Sequence, residues 1–248
     1  MTTQLPSAIR NALDAALNFI YPPVCQLCGE ERATADGGFV GARCLAGIKF
    51  VTPPFCRRCG LPFDGEMMVS FECGNCREME LHFRTARSVV VANGLLLDII
   101  HRYKYNRALW FERFLAELLI HHAAPEIGTE KWDFIVPVPL HPLKKREREF
   151  NQAARLAARL GLATKIPVNE ALLRRVKPTT TQTRLTRQQR AANVQEAFAF
   201  CGGRKLDGEK IILVDDVLTT GATTNACARE LRKAGAGEIC VWTVARGT

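Results

Sequence analysis

Two adjacent carboxylates, Asp215 and Asp216, follow the apolar run 211–214 and precede a loop of sequence TTGAT. An unbroken apolar run is typical of a strand buried on both faces, and residues 223–233 have the pattern of a helix. The loop at this junction is suited to an anion, because free N–H groups and the positive end of the helix dipole point toward it. Gly221 would let the chain approach a phosphate closely. The two acids repel a phosphate, so they are suited instead to the hydroxyls of an attached sugar or to a divalent cation.

This order of apolar strand, two acids and TTGAT resembles the 5-phosphoribosyl-1-pyrophosphate (PRPP) signature of the type I phosphoribosyltransferases. The resemblance implies that both aspartates hold the ribose 2′- and 3′-hydroxyls and face the ligand instead of the core. It also implies that five residues wrap the 5′-phosphate: Thr219, Thr220, Gly221, Ala222 and Thr223. A strand ending in two acids also occurs in Walker B elements and in receiver domains. The sequence has no GxxxxGK[ST] string, however, and a receiver pocket leaves TTGAT unexplained.

Positive charge is concentrated in two segments of the 248-residue chain, whose formal net charge is +9. Residues 144–159 hold six basic and two acidic residues, and residues 171–195 hold six basic residues and no acid. Charge focused in this way favours a polyanionic partner, either pyrophosphate groups or nucleic acid.

The chain is expected to be cytoplasmic, since it has no apolar run long enough to cross a membrane and no export signal at its N-terminus. In that reducing compartment, clustered cysteines indicate metal ligation and not disulfides. Seven of the ten cysteines fall within residues 25–76, whereas the later residues alternate between strand and helix patterns. We therefore predict two units: an amphipathic helix plus a cysteine-rich segment in residues 1–84, and an α/β domain in residues 85–248.

The two later CxxC pairs have the spacing of a zinc ribbon. Thirteen residues separate the pair Cys56 and Cys59 from the pair Cys73 and Cys76. Four thiolates at this spacing predict a closed tetrahedral Zn²⁺ site with no coordination position left for water. Such a site is structural and not catalytic.

An earlier set of cysteines, Cys25, Cys28 and Cys44, is one thiolate short, because Gly41 lies where the fourth would be. Three outcomes are open from the sequence. This set binds no metal, or it borrows another ligand such as His82, or Cys25 and Cys28 join one of the later pairs. The expectation of zinc is therefore weaker here than at the later pairs.

From about residue 84 the chain alternates between strand and helix patterns. Strands are predicted at 86–91, 133–138, 211–214 and 238–245, and helices at 95–105, 111–121, 151–160 and 223–233. This alternation predicts a doubly wound, mainly parallel sheet with ligands at the carboxyl ends of the strands. The segment VPVPLHP ends one strand, so we expect it at the same edge of the sheet as TTGAT.

The whole chain resembles the ComF family of competence proteins, which are phosphoribosyltransferase-like. The matching stretches are the CxxC pairs, LHFRTAR, HRYKYN, VPVPLHP, REREFNQAA, LLRRVKPTTTQTRLTRQQRAANV and LVDDVLTTGAT. The resemblance implies a type I phosphoribosyltransferase-like α/β fold, preceded by a small zinc-ribbon segment. The chain departs from the family pattern at Ala92, where a tyrosine is usual, and at Glu149, where a glycine is usual.

The resemblance also implies roles for residues outside TTGAT. VPVPLHP and the basic residues after it would form the pyrophosphate loop, acting with Mg²⁺; the candidates are His141, Lys144, Lys145, Arg146 and Arg148. Residues 179–193 would form a flexible loop that closes over the site; the candidates are Gln182, Arg184, Arg190 and Asn193. Lys104 is a candidate catalytic residue that could reach the same cleft.

Three functional hypotheses follow. The first is an enzyme that transfers phosphoribose from PRPP, with Mg²⁺, to an acceptor that the sequence does not identify. The second is a factor that binds incoming single-stranded DNA; the basic segments and the zinc ribbon favour it, whereas the near absence of aromatic residues from those segments does not. The third is a sensor that binds PRPP without turnover. No pattern in the sequence specifies the oligomeric state.

Overall fold

The computed structural model describes residues 23–63, 65, 71–177 and 196–247, so the predicted N-terminal helix and the predicted flexible loop lie outside the described residues. Among these described residues, two short helices precede the sheet: α1 (Ala42–Ala46) and α2 (Gly74–Glu78). The first half of the α/β region contains β1 (Thr85–Val91), α3 (Gly94–Tyr105), α4 (Phe111–Ile127), β2 (Phe134–Pro137), α5 (Pro142–Arg148) and α6 (Gln152–Thr164). The second half contains β3 (Leu173–Arg175), β4 (Phe198–Phe200), β5 (Ile211–Leu218), α7 (Ala222–Lys233) and β6 (Ile239–Arg246).

Four strands form one parallel sheet in the order β1–β6–β5–β2. Leu213 of β5 pairs with Val241 of β6 on one side and with Val136 of β2 on the other. Since all the strands of this sheet are parallel, their carboxyl ends meet at one edge. The short strands β3 and β4 form a separate antiparallel pair. The predicted doubly wound, mainly parallel fold is therefore confirmed.

Helices cover both faces of the sheet, which is why its central strands are apolar. All eight residues of β6 and the first four of β5 are buried. Ile212 and Val214 belong to the core beneath α4 and α6, and Ile211 and Leu213 to the core beneath α7. The core thus lies in two layers, one on each side of β5 and β6.

Asparagine side chains cap the N-termini of two helices at the carboxyl edge of the sheet. Asn93 Oδ1 accepts a hydrogen bond from Leu96 N at 3.1 Å, and Asn151 Oδ1 accepts one from Ala153 N at 3.1 Å. These contacts satisfy N–H groups that the first turn of a helix leaves free. Asn151 Nδ2 also donates to Val138 O at 3.0 Å, so the start of α6 is fixed to the segment that follows β2.

The structure differs from the predicted elements at several places. β5 ends at Leu218, four residues beyond the predicted end, so both aspartates lie within the strand. Residues 142–148 form helix α5 where a loop was expected, with Pro142 at its first turn, a position that proline favours. Helix α4 continues to Ile127 instead of ending near residue 121. The antiparallel pair of β3 and β4 was not predicted.

The second CxxC pair packs against β1. Ala86 N donates to Arg58 O at 2.6 Å, and a Cβ atom at Gly60 would lie 3.0 Å from Ala86 O. Gly60 has a φ of +63°, which follows from its place at the end of the CxxC turn. Within the part of the chain that the structure describes, no helix is both long enough and apolar enough to cross a bilayer.

Candidate functional site

A cleft of about 450 Å³ opens at the carboxyl edge of the sheet. Its walls come from the ends of β2 and β5, from α3 and α5, and from the loop that joins β5 to α7. Val138 N donates to Val214 O at 2.9 Å, so the segment VPVPLHP lies directly beside β5. The two motifs that were expected at one edge of the sheet therefore line the same cleft.

The two aspartates lie in different environments, because successive side chains of a strand point to opposite faces. Asp216 is 3 % exposed and forms an ion pair with Lys104 of α3. Gln152 Nε2 donates to Asp216 Oδ1 at 3.4 Å. Asp215 is partly buried, and its Oδ1 accepts a hydrogen bond from Asp216 N at 2.9 Å. Asp216 lines the cleft although it is buried, and its partner Lys104 keeps the buried charge balanced.

The same environments separate the acidities of the two carboxyls. Burial and the adjacent charge of Asp216 raise the pKa of Asp215 well above its usual value. Burial also opposes ionisation of Asp216, but the ammonium of Lys104 outweighs it and lowers the pKa of Asp216 below its usual value. The pair therefore contains one firmly ionised carboxylate and one carboxyl that takes up a proton readily.

The loop after β5 has the geometry of an anion site. Gly221 has a φ of +80° and is the N-cap of α7, a helix of twelve residues. A Cβ atom at Gly221 would make an ordinary contact of 3.9 Å with Leu218, so backbone conformation and not space requires glycine. Thr220 Oγ1 accepts a hydrogen bond from Ala222 N at 3.3 Å, and Thr224 Oγ1 donates to Gly221 O at 3.1 Å. These bonds hold the turn in place at the positive end of the helix dipole.

Four cationic side chains line the cleft with the two carboxyls: Lys104, Lys144, Arg148 and Arg175. Arg148 is 8 % exposed; its guanidinium donates to Gln152 Oε1 at 3.1 Å and to Tyr105 Oη at 2.7 Å. Burial, followed by the nearby charge of Arg175, lowers the pKa of Lys144. A cleft that gathers this much positive charge is suited to a multiply charged anion.

The remaining predicted site residues occupy different positions. Lys144 and Arg148 of α5 line the cleft, whereas Lys145 lines a neighbouring cavity and Arg146 is exposed. His141 is the N-cap of α5, where its Nδ1 accepts a hydrogen bond from Leu143 N at 3.3 Å. The residues predicted for the flexible loop, Gln182, Arg184, Arg190 and Asn193, lie outside the described residues.

Three cleft residues were not singled out from the sequence: Gln152, Tyr105 and Arg175. Gln152 and Tyr105 are in the motifs REREFNQAA and HRYKYN, which gave a family signal but no role. Arg175 is in the acid-free basic run, and nothing in the local pattern distinguishes it from Arg174. Its place in the cleft depends on the unpredicted antiparallel pair of β3 and β4.

The later two CxxC pairs come together as one buried cluster of four sulfurs within 4.8 Å of one another. Measured S···S distances are 3.8 Å for Cys56 and Cys76 and 3.6 Å for both Cys59 with Cys73 and Cys73 with Cys76. Zn–S bonds of about 2.3 Å in tetrahedral geometry place sulfurs about 3.8 Å apart, so these three distances agree with a zinc site.

The acidity of these thiols agrees with a metal site. Burial opposes ionisation of Cys56, but backbone N–H groups of Cys59, Cys73 and Arg58 outweigh it and lower the pKa of that thiol to about 7. Burial and the neighbouring cysteines raise the pKa of Cys76 far above its usual value. Four thiolates this close together therefore require a cation among them, which is what a structural zinc ion supplies.

The earlier cysteines form a second cluster with a fourth member that the sequence analysis missed. Cys25, Cys28 and Cys44 group with Glu31, and their ligand atoms lie within 4.8 Å of one another. Neither the pairing with a later CxxC pair nor the use of His82 is observed, since His82 lies against α7 and its backbone N–H donates to Asn225 Oδ1 at 2.8 Å.

Comparison with known protein families supports both parts of this description. Residues 16–77 match the double zinc ribbon domain, and residues 150–248 match the phosphoribosyl transferase domain. The chain is 34 % identical over 180 residues to competence protein F of Haemophilus influenzae, a match that covers 70 % of this chain and 78 % of that protein. It is 29 % identical over 228 residues to the DNA utilization protein YhgH of Salmonella typhimurium, covering 91 % and 97 % of the two chains. It is 24 % identical over 188 residues to competence protein ComFC of Streptococcus pneumoniae, covering 70 % and 80 %.

The fold, the cysteine clusters and these matches define a phosphoribosyltransferase-like α/β protein with a structural zinc ribbon at its N-terminal side. Within that class, the chain belongs to the competence protein F family.

Proposed function

We propose that this chain binds PRPP together with Mg²⁺ in the cleft at the carboxyl edge of the sheet. The observation that carries the proposal is the convergence of the Lys104–Asp216 ion pair and the glycine turn at Gly221 on one cleft. Asp216, kept ionised by Lys104, would accept a hydrogen bond from one ribose hydroxyl. Asp215 would bind the neighbouring ribose hydroxyl. The residues 219–223 would bind the 5′-phosphate through N–H groups and hydroxyls.

The cationic wall suits the pyrophosphate end of the same ligand. In a transfer reaction, the bond between ribose C1 and the pyrophosphate oxygen breaks while an acceptor bonds to C1, and negative charge accumulates on the departing pyrophosphate. Lys144, Arg148 and Arg175 would stabilise that charge, since they are fixed in the cleft before the reaction begins. Mg²⁺, when bound, would add positive charge beside the departing pyrophosphate, and Asp215 and Asp216 are the carboxylates of the cleft that would hold it. Arg148 would act in one orientation, because Gln152 and Tyr105 hold its guanidinium.

Calorimetric titration with PRPP and Mg²⁺, and separately with ribose 5-phosphate and with pyrophosphate, tests this proposal. Gly221→Ala should weaken the binding of ribose 5-phosphate, because it strains a turn at φ +80°. It should affect the binding of pyrophosphate less. Lys144→Gln should weaken the binding of pyrophosphate and should affect the binding of ribose 5-phosphate less. Lys145→Gln is the matched control, since this neighbouring lysine lines another cavity and its loss should change neither affinity. Wild-type protein with no affinity for PRPP and Mg²⁺ would refute the proposal.

Turnover is a separate question from binding. Pyrophosphate release from PRPP in the presence of candidate acceptors would show a transferase, and binding without release would favour a PRPP sensor. In either case the same cleft residues are expected to set the PRPP affinity.

A second function, the binding of single-stranded DNA, is favoured by a cleft of about 950 Å³ at the amino edge of the sheet. This arginine cleft, as we call it, is lined by six basic residues: Arg57, Arg58, Arg84, Arg87, Lys210 and Arg232. Arg84 and Lys210 pair with Glu238 and Glu130. The side chains of Arg58, Arg87 and Arg232 donate to backbone carbonyls, so their charge remains available to phosphates. The relatives named for competence and DNA utilization give this proposal its context.

Salt dependence of oligonucleotide binding tests this second function. Neutralising the exposed Arg57 and Arg232 to glutamine should reduce the slope of log affinity against log salt by about 0.7 for each lost phosphate contact. Arg113→Gln is the control, because Arg113 is an exposed arginine of α4 that pairs with Asp36 outside the arginine cleft. A slope unchanged by the double variant would place any DNA contact elsewhere.

A further inference from the structure

Arg246, the last residue of β6, is a buried cation that touches both the zinc cluster and the phosphate loop. It is 2 % exposed, and none of the ion pairs among the described residues includes it. Its Nε donates to Cys59 O at 3.2 Å, and its Nη2 donates to Cys59 Sγ at 3.6 Å. Its Nη1 donates to Leu218 O at 2.9 Å and to Thr219 O at 2.5 Å. One guanidinium, 187 positions from Cys59 in sequence, therefore joins a zinc-binding turn to the start of TTGAT.

The zinc cluster supplies the counter-charge that a buried guanidinium needs. A charge removed from water is stable only where hydrogen bonds and an opposite charge replace its hydration. Carbonyl groups satisfy the N–H donors of Arg246, but they carry no net charge. Four thiolates around one Zn²⁺ carry two net negative charges, and the sulfur of Cys59 is the part of that cluster that Arg246 contacts. Metal binding thus holds both the position of Cys59 and the charge opposite Arg246.

At the other end, Arg246 and its neighbour fix the backbone where the phosphate loop begins. Gly247 N donates to Leu218 O at 2.8 Å, and a Cβ atom at Gly247 would lie 2.9 Å from Thr219 Cγ2. The carbonyls of Leu218 and Thr219 are therefore both held by hydrogen bonds from the end of β6. Their direction sets the direction of the N–H groups that follow, which are the groups proposed to bind phosphate.

We propose that Arg246 is a positioning residue that couples metal binding in the Cys56, Cys59, Cys73 and Cys76 cluster to the phosphate affinity of residues 219–223. The inference rests on the proposed PRPP cleft for its ligand. It assigns the zinc ribbon a role in the cleft that goes beyond folding the N-terminal segment: zinc orders the loop by way of one guanidinium.

The test compares PRPP affinity and zinc content in Arg246→Met, Arg246→Lys and Cys59→Ser. We expect Arg246→Met to keep its zinc and to lower the affinity for PRPP by roughly 5- to 150-fold, the usual range for coupling between two sites. Arg246→Lys should recover part of the loss, since it restores the charge without the fork of donors. Cys59→Ser should lose zinc from this cluster and weaken PRPP binding to a similar extent. The double variant of Arg246→Met with Cys59→Ser should lose no more PRPP affinity than the single variant that has the larger loss. Cys28→Ser is the matched control, because it disrupts the other cysteine cluster and should leave PRPP affinity unchanged.

Wild-type PRPP affinity in zinc-loaded Arg246→Met would overturn the inference, and so would losses that simply add in the double variant. If the wild-type protein does not bind PRPP, the proposed function fails and the coupling is read from hydrogen exchange instead. The amides of residues 219–224 should then exchange faster in Arg246→Met and Cys59→Ser than in the wild type and Cys28→Ser. Equal exchange in all four proteins would also overturn the inference.

Discussion

Glu31 is expected to be the fourth ligand of a second zinc site with Cys25, Cys28 and Cys44. Tetrahedral zinc with a sulfur at about 2.3 Å and a carboxylate oxygen at about 2.0 Å places those two atoms about 3.5 Å apart. Cys28 Sγ lies 4.0 Å from Glu31 Oε1, so a shift of about 0.5 Å closes the site. Replacement of Glu31 by alanine should therefore reduce the zinc content from two ions per chain to one. Metal analysis of the purified protein measures this directly.

Gly41 explains why a carboxylate can take this place. A Cβ atom at Gly41 would lie 2.2 Å from Glu31 Cδ, so the carboxyl group fills the space where a side chain at position 41 would begin. Backbone N–H groups of Arg43 and Cys44 donate to the two Glu31 oxygens at 3.0 and 3.2 Å and hold it there. The combination of Glu31→Ala with Gly41→Cys should accordingly restore the second zinc ion.

Cobalt substitution distinguishes the two ligand sets, because thiolate-to-metal charge-transfer absorbance grows with the number of bound thiolates. The combined variant should absorb more strongly than the wild type, with eight thiolates instead of seven. Glu30→Ala is the control, since this neighbouring exposed carboxylate pairs with Arg43. Two zinc ions retained by Glu31→Ala, or one ion in the combined variant, would refute the reasoning.

The two aspartates should differ when each is replaced by asparagine. Asp216→Asn should cost about 3 kcal/mol of unfolding free energy in urea, because it leaves Lys104 without its partner, whereas Asp215→Asn should cost much less; equal losses would contradict the assigned environments. Since Lys104 lowers the pKa of Asp216, the stability that the pair contributes is full above the unfolded value near 4 and is lost as pH falls through the lower folded value. The stability difference between the wild type and Asp216→Asn should therefore begin to narrow below about pH 4 and should close only below the folded pKa. Glu149→Gly should stabilise the chain by about 0.5–1 kcal/mol, because Glu149 has a φ of +67° and its ion pair with Arg107 is exposed; a destabilised variant would show that the exposed pair outweighs the backbone strain.

The fold was largely predictable because its central strands are buried on both faces and therefore apolar. The predicted strand 86–91 differs by one residue from Thr85–Val91, and the predicted helix 223–233 by one residue from Ala222–Lys233. The end of β5 was not predictable, because Asp215 and Asp216 are polar. Its pairing with β6 continues through Leu218 opposite Arg246, and such backbone pairing leaves no mark in a local sequence pattern.

The candidate sites could be located from the sequence where one short segment carries the chemistry, as in TTGAT and the CxxC pairs. Glu31 was missed because spacing rules search for cysteine and histidine, and because its role depends on the side chain that Gly41 lacks. Gln152 was missed for a similar reason: its contacts to Arg148 and Asp216 appear only when α6 is folded against β5. Lys104 was named from its neighbours in HRYKYN, but its ion pair with Asp216 required the position of α3.

The proposed PRPP cleft and the arginine cleft lie at opposite edges of one sheet. β5 spans eight residues between them, which is about 25 Å at the rise of a strand. At physiological salt the Debye length is about 8 Å, so charges in one cleft act weakly on a ligand in the other. Neutralising Arg57 and Arg232 should therefore leave PRPP affinity unchanged while it weakens oligonucleotide binding. Loss of both affinities together would mean that the two assays report a single site.

The turn CRRC nevertheless links the two clefts through its contact with Arg246. Arg57 and Arg58 line the arginine cleft, and the next residue, Cys59, contacts Arg246. An oligonucleotide that orders this turn should raise PRPP affinity by way of Arg246, and PRPP should raise oligonucleotide affinity by the same factor. Titration of each ligand in the presence of the other measures that factor. It should fall to one in Arg246→Met, and a factor that survives this change would require a route that bypasses the guanidinium.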